Sequence, residues 1–136
     1  TLHGDGSGAP IVLTGHLDTV PLGAAPWSCD PFAGEIGDGR IYGRGTCDMK
    51  GSVAAMAVAT RRLAALHHRR ADVRLVFTAG EERGCHGAQH LASLPGVLGA
   101  AGAMVVGEPT GNQAWIAHKG CLRFNLAARG VTAHAS

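Results

Sequence analysis

The stretch Ile11-Val12-Leu13-Thr14-Gly15-His16-Leu17-Asp18 places an imidazole and a carboxylate directly after a short apolar run. Residues 75–77 form a similar run that Glu81-Glu82 follows, and residues 104–106 form another that Glu108 follows. Short apolar runs are typical of strands buried in a parallel sheet, and open α/β sheets place their ligand crevices at the carboxyl ends of such strands. The sequence therefore predicts that these polar residues meet at one edge of one sheet.

The periodicity of apolar residues predicts the elements around these runs. In chain order we expect a strand over residues 10–14, a hairpin over 34–42, a helix over 50–68, a strand over 73–78, a helix over 87–94 and a strand over 103–107. The longer helix is predicted from apolar residues at three- and four-residue spacing, namely Val53, Met56, Ala57, Thr60, Leu63 and Ala64. The Asp38-Gly39 pair predicts a tight hairpin turn. This order implies an α/β fold with a mostly parallel sheet and helices on its faces.

The pattern changes near Trp115. Residues 119–129 alternate loosely between polar and apolar side chains, which favours a strand with one solvated face. We therefore predict one unit over residues 1–115 and the start of a second over residues 116–136. The chain has no initiator Met and stops within Ala133-His134-Ala135-Ser136, so we expect the natural protein to extend beyond it.

Charge and composition exclude several classes of function. Twelve basic against ten acidic residues give a formal charge of +2, which is too small for the basic surface of a nucleic-acid-binding protein. No apolar run approaches the roughly 18 residues of a membrane span. The four cysteines form no CxxC pair and are too sparse for a disulfide scaffold, which favours a reducing compartment. We expect a cytoplasmic protein without nucleic-acid or membrane partners.

Two pairs of polar residues can support metal chemistry. Residues two apart in an extended segment point the same way, so Asp18 can accept a hydrogen bond from one ring nitrogen of His16 while the other nitrogen binds a metal. Glu81 and Glu82 are adjacent like charges that a cation would stabilise; one can bind a metal while the other takes a proton from an activated water. The alternatives are an ordinary polar loop for the first pair and an exposed, helix-capping acidic turn for the second.

Asp48 lies in the glycine-rich stretch 43–51, directly before the longer predicted helix. Glycines let the backbone approach a site closely, and a helix dipole stabilises a carboxylate at the helix start. A plain N-cap aspartate is the alternative. The stretch is not a Walker A loop, because no Lys-Ser/Thr pair follows its last glycine, and it does not match the dinucleotide fingerprint. One imidazole and several carboxylates at one sheet edge therefore indicate a binuclear metal site.

Several segments of the chain, in this order, resemble the M20 family of metallopeptidases and amidohydrolases. They are residues 15–21, 27–32, 38–51, 81–82, 107–110 and 133–136. The resemblance implies a three-layer α/β/α, zinc-exopeptidase-like catalytic domain, incomplete over residues 1–115, followed by the start of an α+β lid or dimerisation domain over residues 116–136. It also implies a cis peptide between Asp48 and Met49.

The resemblance implies two divalent metal ions, with zinc as the first choice and cobalt or manganese as alternatives. His16 and Glu108 would bind one ion and Glu82 the other. Asp48 would bridge both ions, and Asp18 would orient His16. The family's last ligand is a histidine far downstream, so we expect residues 1–136 alone to lack part of the second metal site.

The resemblance also implies the catalytic roles. Glu81 would be the general base, and His134 would reach across a homodimer into the site of the second subunit. The family often has Asp where this chain has Gly80, which leaves the geometry of that loop open.

The implied activity is hydrolysis of the amide bond of an N-acyl amino acid. Residues 45–48 and 118–120 most resemble the family members that act on N-acetylornithine, which would place the activity in amino-acid biosynthesis. Succinyl-diaminopimelate desuccinylase, an aminoacylase and an exopeptidase acting on short peptides are the alternatives within the family. A metal-binding or dimerisation module without activity is the non-enzymatic alternative, against which the presence of Glu81 argues.

Overall fold

The computed structural model describes residues 1–120, 122, 124–131, 133 and 134. Its elements in chain order are β1 (Ile11–His16), β2 (Ile36–Gly37), β3 (Arg40–Ile41), α1 (Gly51–Ala64), β4 (Val73–Thr78), α2 (His86–Ser93) and β5 (Ala103–Val106). The strands and helices predicted up to residue 107 are all present, with ends that differ by a few residues from the expected ones.

The apolar runs form a three-stranded sheet in which β1 lies between β4 and β5. Both neighbours are parallel to β1, and Ile11 pairs with Val73 on one side and with Ala103 on the other. Because the three strands run in the same direction, the residues that follow them all emerge at one edge of the sheet. The predicted α/β class with a parallel sheet is confirmed.

Helix α1 packs against β1 and β4 and supplies part of the core. Met56 is the buried residue of its apolar face, while Ala57 and Ala64 are exposed. The helix ends at Ala64, four residues before the predicted end at 68. Arg69 explains the earlier end, because its guanidinium donates to the carbonyls of Leu63 and Leu66 and so satisfies backbone acceptors at the helix terminus.

The hairpin formed by β2 and β3 follows the sequence prediction closely. Ile36 pairs with Ile41 in an antiparallel arrangement. Asp38 and Gly39 both have positive φ, at 50° and 71°, as a type I′ turn requires. The turn leads directly into the glycine-rich stretch that contains Asp48.

The predicted strand over residues 119–129 is wrong for the described part of that range, which contains no helix or strand. A strand is stabilised by pairing with a neighbour, and the described residues supply no partner strand for this segment. Cys121 and Arg123, which belong to the predicted alternation, lie outside the described residues. None of the helices in the described part of the chain is both long and apolar enough to span a membrane.

Candidate metal centre and active site

His16 is the last residue of β1, and its side chain is only 2% exposed. Its Nδ1 lies 3.0 Å from the carbonyl oxygen of Asp18. A carbonyl oxygen only accepts, so Nδ1 must carry a proton, and in the neutral ring Nε2 then presents its lone pair. Nε2 faces Oδ1 of Asp48 at 3.0 Å, so a proton or a cation is needed between these two atoms.

Asp48 lies in the turn Thr46–Lys50 that precedes α1. Its backbone is not helical (φ −119°, ψ 100°), and its bond to Met49 is a cis peptide. The expected cis peptide is therefore present, and the plain N-cap alternative fails because Asp48 points to His16 instead of capping α1.

Met49 fixes the position of this turn. Its side chain is fully buried, and its sulfur accepts a hydrogen bond from the backbone N–H of His16 at 3.2 Å. A Cβ atom placed on Gly15 would lie 2.3 Å from Cε of Met49, and one placed on Gly107 would lie 3.1 Å from it. The absence of side chains at Gly15 and Gly107 therefore creates the space that Met49 fills.

Asp18 has a role that the sequence did not predict. Its carboxylate accepts the backbone N–H of Glu81 through Oδ1 and that of Glu82 through Oδ2, each at 3.2 Å. The expected contact with His16 is made mainly by the Asp18 carbonyl, while the carboxylate lies 3.5 Å from Nδ1. Burial opposes ionisation of Asp18, but the amides of Glu81 and Glu82 outweigh it and lower its pKa. Asp18 thus joins the end of β1 to the Glu81-Glu82 turn.

The structure brings the four predicted metal ligands and the predicted general base, Glu81, into two overlapping groups that share His16. One contains His16, Asp48 and Glu108, and the other contains His16, Glu81 and Glu82. Within each group the possible ligand atoms all lie within 4.8 Å of one another. Asp48 and Glu82 also line one cleft of about 170 Å³.

The electrostatics of the cluster suit a cation. Burial raises the pKa of Glu108, and the nearby charge of Asp48 raises it further. For His16, burial favours the neutral ring, but the hydrogen bonds to Asp18 and Asp48 and the charge of Glu108 together raise its pKa. Ionisation of Glu108 is therefore harder, and protonation of the His16 imidazole easier, than for the same groups in water. A divalent cation at the same place would relieve both effects, so the residues present fit a metal.

The loop before Glu81 explains the glycine at position 80. Gly80 has φ of 78°, a region that L-residues adopt at a cost. Aspartate is one of the few other residues that enter this region readily, so the Asp that the resemblance leads one to expect at this position could adopt the same backbone. Cys85, which follows the loop, places its thiol 3.7 Å from Oε1 of Glu81.

His134 is exposed and belongs to no helix or strand. Neither of the two ligand groups found among the described residues includes it. Sequence reasoning missed Arg44, which lines the same cleft as Asp48. It also missed the packing role of Met49, for which the glycine directly before His16 was the available signal.

A central parallel strand with an imidazole at its carboxyl end, surrounded by four carboxylates, defines an α/β protein with a candidate binuclear metal centre. The profile of the peptidase family M20/M25/M40 matches residues 12–121, and the chain belongs to that family.

Curated relatives extend the match to nearly the whole chain. A probable succinyl-diaminopimelate desuccinylase of Staphylococcus epidermidis (strain ATCC 35984) is 41% identical over 134 residues, covering 96% of this chain and 33% of the relative. The succinyl-diaminopimelate desuccinylase of Xanthomonas campestris pv. campestris (strain B100) is 40% identical over 139 residues, covering 95% and 37%. A probable succinyl-diaminopimelate desuccinylase of Staphylococcus aureus (strain MRSA252) is 39% identical over 134 residues, covering 96% and 33%. The chain thus spans about a third of the length of these relatives.

Proposed function

We propose that this chain carries most of the metal site of a hydrolase that cleaves the amide bond of an N-acyl amino acid. The observation that carries the proposal is the environment of His16 Nε2. This atom lies 3.0 Å from a carboxylate oxygen of Asp48 and 3.9 Å from one of Glu81 and one of Glu108. A buried imidazole nitrogen that faces carboxylate oxygens from three separate segments is the donor set of a metal site. Imidazole and carboxylate ligands suit zinc, with cobalt or manganese as alternatives.

In this proposal His16 and Glu108 would hold one ion, Glu82 would hold a second, and Asp48 would serve both. The grouping of His16, Asp48 and Glu108 supports the first assignment, and the shared cleft of Asp48 and Glu82 supports the second. When bound, the ions would polarise the scissile carbonyl and lower the pKa of the attacking water.

The remaining chemistry falls to side chains of this chain. Glu81 takes a proton from the water as the water's oxygen bonds to the carbonyl carbon. It then delivers the proton to the amide nitrogen as the carbon–nitrogen bond breaks, which yields a carboxylic acid and an amine. The Asp18 carboxylate holds Glu81 in place by accepting a hydrogen bond from the backbone N–H of Glu81. His134 acting in the site of a second subunit stays a prediction, as does the homodimer.

The substrate proposal now favours an N-succinyl amino acid. The three relatives described above bear the name succinyl-diaminopimelate desuccinylase, which was the alternative drawn from the sequence. Hydrolysis of N-acetylornithine stays a prediction that rests on residues 45–48 and 118–120.

We also propose that residues 1–115 are part of a catalytic domain and that residues 116–136 begin a lid or dimerisation domain of a longer, cytoplasmic enzyme. The greater length of the relatives supports the longer enzyme, while the boundary at residue 115 rests on the change of sequence pattern near Trp115.

The test is an assay of the full-length protein that contains this chain, loaded with zinc. N-succinyl-diaminopimelate, N-acetylornithine and a set of dipeptides are compared by kcat/KM, with the chelated protein as the control. We expect the succinylated substrate to give the highest kcat/KM and the chelated protein to be inactive. Absence of zinc-dependent turnover on all of these substrates would overturn the proposal.

A further inference from the structure

One wall of the proposed active site is a segment that the mechanism does not use. Val20 lines the cleft of about 170 Å³ that contains Asp48 and Glu82. Val20 and Pro21 also line an adjoining cleft of about 450 Å³ that contains Asp18. This wall belongs to the long loop between β1 and the hairpin, so it has no sheet or helix of its own to hold it.

Arg44 ties this loop to the turn that carries Asp48. Its Nη2 donates to the carbonyl of Pro21 at 3.2 Å, and its backbone N–H donates to the carbonyl of Pro31 at 2.8 Å. Its guanidinium carbon lies 4.9 Å from the centre of the Trp27 ring, within the range of a cation–π contact. Trp27 in turn donates from its indole nitrogen to the carbonyl of Leu22 at 3.2 Å.

A second contact holds the same wall close. A Cβ atom on Gly45 would lie 2.6 Å from Cγ2 of Thr19, so the backbone at Gly45 and the side chain of Thr19 are in tight contact. Thr19 directly precedes Val20, and Arg44 directly precedes Gly45. The wall and the turn are therefore joined at two neighbouring points.

We propose that Arg44 is a positioning residue for substrate binding, which together with Trp27 fixes the Val20-Pro21 wall beside the carboxylate cluster. The inference rests on the proposed function, because the cleft is taken as the place where the substrate binds. Arg44 acts through the wall and does not touch the reacting atoms. Its Nη2 donates to Pro21 and its guanidinium faces the Trp27 ring, and these two contacts support the positioning role.

Lysine cannot replace Arg44 in this role. It keeps the positive charge but lacks the planar guanidinium that stacks on an aromatic ring while donating to a carbonyl. We expect Arg44→Lys to raise KM about five- to tenfold while changing kcat less than about twofold, as expected when binding is lost equally from the substrate and the transition state.

The experiment uses the full-length, zinc-loaded protein that contains this chain. Arg44→Lys, Trp27→Ala and the double variant are compared with Trp27→Phe, which keeps a ring for stacking but loses the indole donor. Arg61→Lys, an exposed arginine in the last turn of α1, is the matched control. KM and kcat are measured on the best substrate, zinc stoichiometry by calorimetry, and hydrogen–deuterium exchange of the peptide covering residues 19–32 by mass spectrometry, with the α1 peptide as internal reference.

If Arg44 and Trp27 depend on each other, the double variant should raise KM no more than the single variant with the larger effect. Trp27→Phe should fall between wild type and Trp27→Ala. Exchange in residues 19–32 should become faster in the Arg44→Lys protein, while zinc stoichiometry and exchange in α1 stay unchanged.

Two results would overturn the inference while leaving the proposed function intact. One is an active Arg44→Lys enzyme with wild-type KM and wild-type exchange in residues 19–32. The other is a double variant whose fold-increase in KM equals the product of the two single increases, as for independent residues. A wild-type protein without turnover on any of the substrates would instead overturn the proposed function, and the role of Arg44 in substrate binding would fall with it.

Discussion

Replacing Asp18 with asparagine tests whether this carboxylate holds the Glu81-Glu82 turn. The carboxylate accepts two backbone N–H groups at 3.2 Å each, one through each oxygen. Asparagine keeps one acceptor oxygen and puts an NH2 group where the other was, so a donor would face a donor. The substitution therefore removes one charge-assisted hydrogen bond, weakens the other and adds a repulsion.

The magnitude follows from these contacts. A hydrogen bond to a charged group contributes about 1.5–3 kcal/mol. The Asp18 side chain is 24% exposed, so solvent partly screens the bonds and the lower part of that range applies. We expect Asp18→Asn to lower the free energy of unfolding by about 2 kcal/mol. Because Glu81 and Glu82 lose their support, zinc affinity and kcat should each fall by about 10- to 100-fold.

The assays are urea denaturation, zinc titration calorimetry and steady-state kinetics of the full-length protein. Asp5→Asn is the matched control, because Asp5 is an exposed aspartate whose carboxylate accepts a backbone N–H, that of Ser7, at 2.8 Å. The control should change stability by less than about 0.5 kcal/mol and should leave zinc affinity unchanged. An Asp18→Asn protein with the unfolding midpoint, zinc affinity and kcat of the Asp5→Asn control would refute the role given to Asp18.

Three further predictions concern the site and the fold. Glu81→Gln should lower kcat by about 10²- to 10⁴-fold while keeping zinc, as expected on loss of a general base. Glu82→Gln should instead weaken zinc binding, measured by calorimetry. Normal turnover by the Glu81→Gln protein would contradict these roles. Gly15→Ala places a methyl group 2.3 Å from Cε of Met49 and should cost about 1–3 kcal/mol in urea denaturation, so an unchanged midpoint would contradict the packing described. The N–H of Gly4 lowers the pKa of Asp72, so this contact stabilises the fold above the unfolded-state pKa of about 3.9 and is lost as pH falls through the lower folded-state pKa. Thermal unfolding at acidic pH should therefore depend less on pH in Asp72→Asn than in wild type, and identical pH profiles would argue against the contact.

The sheet and its polar edge could be predicted because the signals are local. Each strand is a short apolar run, and each run is followed closely by an acidic residue or a histidine. Parallel pairing of β4 and β5 with the central β1 then brings His16, Glu81 and Glu108 to one edge of the sheet. This placement depends on the strand directions and not on the exact loop conformations. The end of α1 was harder to predict, because it depends on Arg69, a residue beyond the helix.

The position of Asp48 and the partners of Asp18 could not be read from periodicity. Asp48 lies in a turn whose backbone departs from helical angles, and that turn follows Gly45 at φ of 81°. The Asp18 carboxylate meets the Glu81 and Glu82 amides across 63 and 64 residues of sequence, respectively. Such contacts are fixed by loop conformation, for which apolar spacing carries no information.

Glycine directly precedes the first functional residue at the end of each strand, and the structure gives two physical reasons for this pattern. Gly80, before Glu81, provides a positive φ that turns the chain towards Asp18. Gly15 and Gly107, before His16 and Glu108, instead provide space. They lie at the carboxyl ends of the paired strands β1 and β5, and the Met49 side chain packs where their side chains would be. Met49 is the residue after Asp48, so the packing of Met49 in this space holds the Asp48 carboxylate next to the imidazole of His16. The packing of Met49 thus sets the arrangement of three proposed metal ligands, His16, Asp48 and Glu108. The glycines before His16 and Glu108 are therefore required for the geometry of the site, although they bind no metal themselves.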